Sequence, residues 1–363
     1  MSREIRRIAV NTGGGDAPGL NAVIRAVALA GHRRGWEVMG IRRGYQGLLG
    51  LEPGLVALDA SAVRGITHLG GTILGTSNRG NPFSLPGAGG ATVDRSAELV
   101  EAFHAHGLDA LVAIGGDGSL SIALQLFQRY GLPVVGVPKT IDNDIQATEC
   151  TFGFDTAVAT ATDAIDKLHS TAESHQRVMV VELMGRFAGW IALHAGVAGT
   201  ADVILLPEIP FRMEAVYRKI REREESGREF SIVVVAEGAT PEGGSLVIRK
   251  EQGPGREVLL GGIGQQVADL IQRNTGKETR NLVLGHLQRG GQPTAFDRLL
   301  SLRFGAAAVR LAGAGEFGKM VALSDGEVTA VSLDEATRRL RKVPLDSDIV
   351  RTARDLGICL GDE

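Results

Sequence analysis

The chain has 363 residues, 44% hydrophobic and 22% charged, which is ample material for a large core and more length than one compact core usually organises. Thirty-nine Lys and Arg against 42 Asp and Glu leave a net charge of −3, so no basic excess points to nucleic acid. No apolar run approaches the ~20 residues of a membrane span, MSREIRRIAV has no signal-peptide core, and Cys150 and Cys359 are too few for a disulfide framework or a zinc site; the expectation is a cytoplasmic enzyme.

Fifty residues are Gly, about twice the usual ~7%. They cluster between apolar runs instead of recurring at a fixed period, which excludes collagen and suggests tight loops of the phosphate-binding type. In chain order, IRRIAVNT reads as a strand, GGGDAPG as a loop and LNAVIRAVALAGHRRG as a helix. WEVMGIRRG is a second strand. LDALVAIGGDGSLSIALQLFQRYG repeats the strand, loop and helix, and LPVVGVPKTIDND is a strand ending in a polar loop. DTAVATATDAIDKLHST is a helix with Asp155 near its N-cap. RVMVVELMGR, DVILLPEIP, FSIVVVAEG and RNLVLGHLQRGG continue the plan, and residues 78–90 and 238–262 read as loops. Continuous apolar strands alternating with helices imply parallel sheets and an α/β fold of two doubly wound domains.

Ligands of open α/β sheets bind beyond the carboxyl ends of strands, so the loops there carry the chemistry. Gly13–Gly19 follows a strand and opens a helix, where backbone N–H groups attract phosphate; a merely tight turn is the plain alternative. It matches neither a Walker A loop nor GxGxxG. In Gly115–Ser119 a carboxylate, Asp117, sits among backbone donors, which suits Mg²⁺ beside a nucleotide. A helix N-cap would explain Asp117 but not the flanking glycines. Lys139, Thr140, Asp142 and Asp144 bring a cation, a hydroxyl and paired acids into one strand-end loop, as phosphoryl transfer to an alcohol requires; an Asx-turn cluster is the competing reading. Arg177, Arg186, Arg280, His286 and Arg289 form a scattered cationic set suited to a phosphate monoester.

The motifs GGDAPGLN, GGTILGTSNR, IGGDGS, PKTIDNDI, SHQR, VELMGR, PE, VAEG and VLGHLQRGG occur in this order, and from Gly14 to Gly291 the chain resembles the phosphofructokinases. The resemblance implies two Rossmann-like doubly wound domains with the active site in the cleft between them. Residues 1–150 with about 288–338 would form the larger, donor-nucleotide domain. Residues of about 151–287 with 339–363 would form the smaller, sugar-phosphate domain. It implies transfer of a phosphoryl group from Mg-ATP to the 1-hydroxyl of fructose 6-phosphate, giving fructose 1,6-bisphosphate in glycolysis, by a cytoplasmic homotetramer with sites shared between subunits and neither nucleic acid nor membrane as partner.

Carried over by residue, the resemblance makes Asp142 the general base, Asp144 its support, and Asp117 the Mg²⁺ ligand. Thr140 and Arg186 would lie near the transferred group. Gly14, Gly15, Arg79, Gly116, Gly118, Ser119 and Lys139 would surround the donor phosphates, with Tyr45 toward the adenine side. Met184, Gly185, Glu237, His286 and Arg289 would hold the sugar phosphate, and Arg177 and Arg280 would reach in from a neighbouring subunit. At the family's effector site Arg25 is retained, but Leu29, His169 and Phe230 stand where cations are expected.

In the resemblance the position after the metal-binding Asp decides the donor, and Gly118, a small residue that would leave room for the α-phosphate of a nucleotide, argues for ATP. Lys139 stands where pyrophosphate enzymes carry Lys, so a pyrophosphate-dependent fructose-6-phosphate 1-phosphotransferase is the rival reading. Excluded volume outweighs an added attraction, which favours ATP. A catalytically silent regulator binding nucleotide or sugar phosphate is the alternative of another class, but it would be expected to lose Asp142 or Asp117. Residues 243–260 read as extra to the family pattern.

Overall fold

The structure, a computed structural model, describes residues 4–50, 54–77, 80–87, 91–250 and 259–362. The chain opens with β1 (Arg7–Thr12), α1 (Leu20–His32), β2 (Glu37–Ile41), β3 (Leu55–Ala57), the short β4 (Leu85–Pro86) and β5 (Thr92–Val93), α2 (Ser96–Ala105), β6 (Ala110–Gly115), α3 (Asp117–Tyr130) and β7 (Val134–Pro138). There follow α4 (Phe154–His175), β8 (Val178–Leu183), α5 (Trp190–Ala198), β9 (Val203–Leu205), α6 (Met213–Glu225), β10 (Ser231–Ala236), β11 (Ile248–Lys250), β12 (Leu259–Leu260), α7 (Ile263–Thr275) and β13 (Thr279–Val283). The chain then forms α8 (Ala295–Gly313), β14 (Lys319–Ser324), β15 (Glu327–Ser332), α9 (Leu333–Thr337) and α10 (Asp348–Asp355). Two compact units result. The first comprises residues 1–141, 145–155 and 289–340; the second comprises 142–144, 156–288 and 341–363. Residues 142–144, placed in the first domain by the sequence reading, group with the second unit.

The first unit carries the sheet β15-β14-β7-β6-β1-β2-β3. Its inner strands are parallel, and each turns alternate residues to opposite faces. Ile8, Val10, Val112, Ile114 and Val137 pack with Val23, Val27 and Phe304 of α1 and α8. Ala9, Leu111, Ala113 and Val134 pack with Leu99, Phe103, Leu120 and Leu126 of α2 and α3. This double burial explains why these strands read as unbroken apolar runs. Only the edges, β3 on β2 and β15 on β14, run antiparallel.

The second unit carries β13-β8-β10-β9, parallel throughout. Val178, Val180, Val233 and Val235 pack against Val216, Ile220, Val267 and Ile271 of α6 and α7. The stretch 238–262, read as a loop, contains the antiparallel pair β11 and β12. Residues 78–90 likewise contain β4, paired with β5. Ladders this short leave no periodicity to detect. Asp155 lies in the first turn of α4, near its N-cap as expected, and its carboxylate accepts a hydrogen bond from Thr294 Oγ1.

In the first unit the order of strands reverses between β1 and β6, since β1 leads outward to β2 on one side and β6 lies on the other. Ligand loops of doubly wound sheets gather at such a point. Asn21 of α1 braces the adjoining segment, donating from Nδ2 to Leu69 O at 3.2 Å and Gly70 O at 3.1 Å, and accepting from Ile73 N–H at 2.8 Å. It is buried. Asn21→Ala leaves all three backbone groups without their partner and is expected to cost about 3 kcal/mol by chemical denaturation.

Candidate active site

The loop after β1 touches the carboxyl end of β6 through the backbone: Gly13 N–H donates to Ile114 O at 2.9 Å. Gly14, with φ +76, donates to Ser77 O at 3.3 Å, and Thr76 Oγ1 donates to Gly14 O. A side chain on Gly13 would place its Cβ 2.5 Å from Ser119 Oγ, and one on Gly15 would place it 2.0 Å from Arg289 Nη1. Lys139 is buried, its Nζ donating to Gly15 O, and Arg289 Nη1 donates to Asp16 O at 3.3 Å. Arg289 Nε is buried with no acceptor among the described residues. Gly13–Gly15, Ser119, Lys139 and Arg289 thus converge on one patch of bare backbone with two cations beside it. Bare backbone with cations beside it is an arrangement that suits phosphate oxygens.

The sequence reading missed Thr76 and Ser77 as supports of Gly14, although both lie in the GGTILGTSNR motif. Arg79, in the same motif, lies outside the described residues. Tyr45 is 3% exposed, its ring packed in the core cluster with Leu48, Leu49 and Leu85; burial pushes its phenol pKa up, with Asn11 nearby. A ring packed this way presents no open face to an adenine.

Gly116 adopts extended backbone before α3, and Asp117 opens that helix exposed to solvent. A Cβ added at Gly118 meets no protein atom within 4 Å. No group of three His, Cys, Asp or Glu able to hold a metal occurs among the described residues. The exposed Asp117 carboxylate nevertheless fits Mg²⁺ that arrives with donor phosphates, because Mg²⁺ typically uses one or two carboxylates and completes its shell from phosphates and water.

Thr140 is buried, and its carbonyl accepts from Thr151 Oγ1 at 2.7 Å. Two residues on, the chain enters the second unit with Asp142 and Asp144, both half-buried. Between them Asn143 takes left-handed backbone with φ +52, a conformation that Asn tolerates better than most residues.

Met184, Gly185 and Arg186 follow β8, Glu237 follows β10 and His286 follows β13, so all lie past the carboxyl ends of three neighbouring parallel strands. Glu237 N–H donates to Leu183 O at 2.8 Å, and Gly238 N–H to Gly185 O at 3.2 Å. Gly185 has φ +135, a conformation open to glycine. The Arg186 guanidinium lies 5.3 Å from the centre of the Phe187 ring.

Arg177 and Arg280 lie elsewhere. They flank Glu278 at the amino ends of β8 and β13, with Arg177 Nε 2.8 Å from Glu278 Oε2 and Arg280 paired to Oε1. The hydrogen bond from Arg177, reinforced by the charges of both arginines, holds the Glu278 pKa below the usual carboxylate value. Arg289, expected with the sugar-phosphate set, is placed against the loop of the first unit. His169 and Phe230 meet edge to face at 6.0 Å, and Arg223 stacks over Phe230 while pairing with Asp202 at 2.6 Å.

The chain matches the family described as Phosphofructokinase over residues 7–312. It is 53% identical over 363 residues to the ATP-dependent 6-phosphofructokinase of Chloroflexus aggregans, with 100% of both chains covered. It is also 53% identical over 341 residues to the pyrophosphate–fructose 6-phosphate 1-phosphotransferase of Amycolatopsis methanolica, covering 93% of this chain and 96% of that one. The solved phosphofructokinase of Pichia pastoris matches with a TM-score of 0.79 at 30% identity, covering 98% of this chain, which spans 37% of the length of the Pichia chain.

Gly15→Ala forces Arg289 off the loop, because Cβ and Nη1 cannot share a 2.0 Å separation. The expected outcome is weaker binding of a phosphate-bearing donor in calorimetric titration, by roughly tenfold or more, since charge-assisted contacts to phosphate are the strong ones. Unchanged affinity would separate Arg289 from the donor.

Proposed function

The chain belongs to the phosphofructokinase family, and from that premise we propose that it transfers the terminal phosphoryl group of ATP to the 1-hydroxyl of fructose 6-phosphate, giving fructose 1,6-bisphosphate. The observation that carries this reading is the convergence of Gly13–Gly15, Ser119, Lys139 and Arg289 on one anion-binding patch. The two cations, with the backbone N–H groups at the start of α3, would neutralise donor phosphates, and the bare loop would leave them room. Asp117 would hold Mg²⁺, which would offset charge on the donor phosphates.

Asp142 would accept the proton of the sugar's 1-hydroxyl as that oxygen attacks phosphorus, with Asp144 supporting it. Thr140 and Arg186 would flank the group in transfer, Arg186 offsetting its negative charge. Met184, Gly185, Glu237 and His286 would hold the sugar.

Arg177 and Arg280 stand one strand length, roughly 20 Å, from those sugar residues within the same unit. A single sugar phosphate does not span that gap. This supports sites shared between copies, in which the two arginines bind the 6-phosphate of a neighbour, and with it the homotetramer. No helix among the described residues is long and apolar enough to cross a membrane. The reading includes a cytoplasmic location, in keeping with glycolysis.

The donor rests on Gly118 and Lys139. Relatives named for ATP, 53% identical over the full 363 residues, support ATP over pyrophosphate. One relative named for pyrophosphate is 53% identical over 341 residues, and the local chemistry bears on the same choice. Space at Gly118 admits the α-phosphate of a nucleotide. Lys139 is already engaged with Gly15 O, a contact that braces the loop whichever donor binds. The pyrophosphate reading is kept because Lys139 also places a cation 3.6 Å from the Gly14 Cβ position.

A coupled assay with fructose 6-phosphate is expected to show turnover with Mg-ATP well above that with Mg-pyrophosphate. A Cβ at Gly118 meets no protein atom within 4 Å, so Gly118→Asp is expected to fold normally and to damage ATP use far more than pyrophosphate use. Turnover with pyrophosphate alone would overturn the ATP reading. Arg177→Ala and Asp142→Asn are each expected to be nearly inactive, Asp142→Asn through a kcat loss of about 10²–10⁴. Subunits of the two variants, unfolded and refolded together, are expected to recover part of the activity in hybrid sites. No recovery in mixed oligomers would place each site within one chain.

A further inference from the structure

The turn that carries Asp142 and Asp144 rests on a residue far along the chain. Arg341 N–H donates to Asp144 O at 2.8 Å. Its guanidinium reaches the other side of the same peptide pair, Nη1 donating to Asn143 O at 3.3 Å. Arg341 therefore grips two consecutive carbonyls of the segment joining the two acids. It is itself clamped by Trp190: the indole Nε1–H donates to Arg341 O at 3.0 Å, and the ring centre lies 4.3 Å from the guanidinium carbon. Trp190 is buried at the start of α5, so this clamp is anchored in the body of the second unit.

Asn143 is 3% exposed and left-handed, and a non-glycine residue stays in that conformation only where its surroundings over-determine it. Arg341 supplies two of those restraints. Its planar guanidinium stacks on the indole while donating at its edge, a combination that the point charge of Lys does not reproduce.

We propose that Arg341, clamped on Trp190, is a positioning residue for catalysis: it fixes the backbone of the Asp142–Asp144 turn and thereby the aim of the Asp142 carboxylate. This rests on the reading of Asp142 as general base. Arg341 acts through the turn and contacts no reacting atom. A misplacement of about 1 Å at a catalytic group can cost on the order of 10²-fold in rate, whereas groups that bind substrate from other loops stay where they are. The consequence falls on kcat.

The experiment compares steady-state kinetics of Arg341→Ala, Arg341→Lys and Trp190→Phe in the full chain, with Asp142→Asn alone and combined with Arg341→Ala. Arg341→Ala is expected to lower kcat roughly tenfold to a hundredfold, leaving KM for fructose 6-phosphate and donor within about twofold. Arg341→Lys and Trp190→Phe are expected to fall between it and the wild type. In the Asp142→Asn background, Arg341→Ala is expected to cost little more, because no base remains to be aimed. Arg341→Ala with kcat within about twofold of wild type, an effect on KM alone, or the same fold-loss in both backgrounds would overturn the proposal. Should Arg341→Ala fail to fold, Arg341→Lys and Trp190→Phe decide it by the same split between kcat and KM. Asp142→Asn at full kcat would remove the base assignment and this proposal with it. A collapse there beside an unaffected Arg341→Ala would remove only the proposal.

Discussion

The chemistry of the first unit depends on a stretch of backbone that carries no side chains. At Gly13–Gly15 the loop after β1 comes close enough to β6 for Gly13 N–H to reach Ile114 O, and close enough to Ser119 and Arg289 that a methyl group at Gly13 or Gly15 would collide. The N–H groups of Gly13 and Gly14 are spent on Ile114 O and Ser77 O, so what the bare peptide offers an anion is space, and the neighbouring cations supply charge without filling it. Both requirements, close approach and open space, are met by glycine and by no other residue. The parallel strands deliver these loops to one place because the direction of the chain across the sheet reverses between β1 and β6.

In the second unit the direction of the strands is the governing feature. Four parallel strands send Met184, Gly185, Arg186, Glu237 and His286 to one end of the sheet and leave Arg177, Glu278 and Arg280 at the other. The two arginines share one carboxylate, which holds both beside Glu278. The pair of Asp202 and Arg223 illustrates the opposite case. Burial raises the carboxyl pKa and lowers that of the guanidinium, yet a 2.6 Å contact and the Ile232 N–H keep Asp202 satisfied. With Phe230 stacked beneath and His169 at its edge, that region is filled by its own side chains.

Much of this was legible in the sequence because the relevant signals are local. Fully buried parallel strands are apolar on both faces, so Ile8–Val10, Leu111–Ile114 and Val134–Val137 announce themselves without partners. Gly13–Gly19, Gly115–Ser119 and Lys139–Asp144 each follow such a strand directly, which is enough to mark them as ligand loops. The order of the motifs carried the family. The short ladders β4–β5 and β11–β12 were not legible, since two or three residues carry no period.

What the sequence by itself determined is therefore the strand–loop–helix repeat, the identity of the loops and the residue types that they offer, all of which depend on neighbours a few positions apart. Tertiary structure alone decided the partners. It set Arg289 beside Asp16 across 273 positions, and Arg341 under Asn143 across 198. It buried Tyr45 in the core, and it sent Arg177 and Arg280 to the far end of the sheet from the residues they were grouped with by charge. The physical reason is that hydrophobic periodicity records which face of an element is buried but not what buries it. A guanidinium in RRLRKVP looks like any solvated cation until the fold brings an indole and a left-handed peptide to meet it.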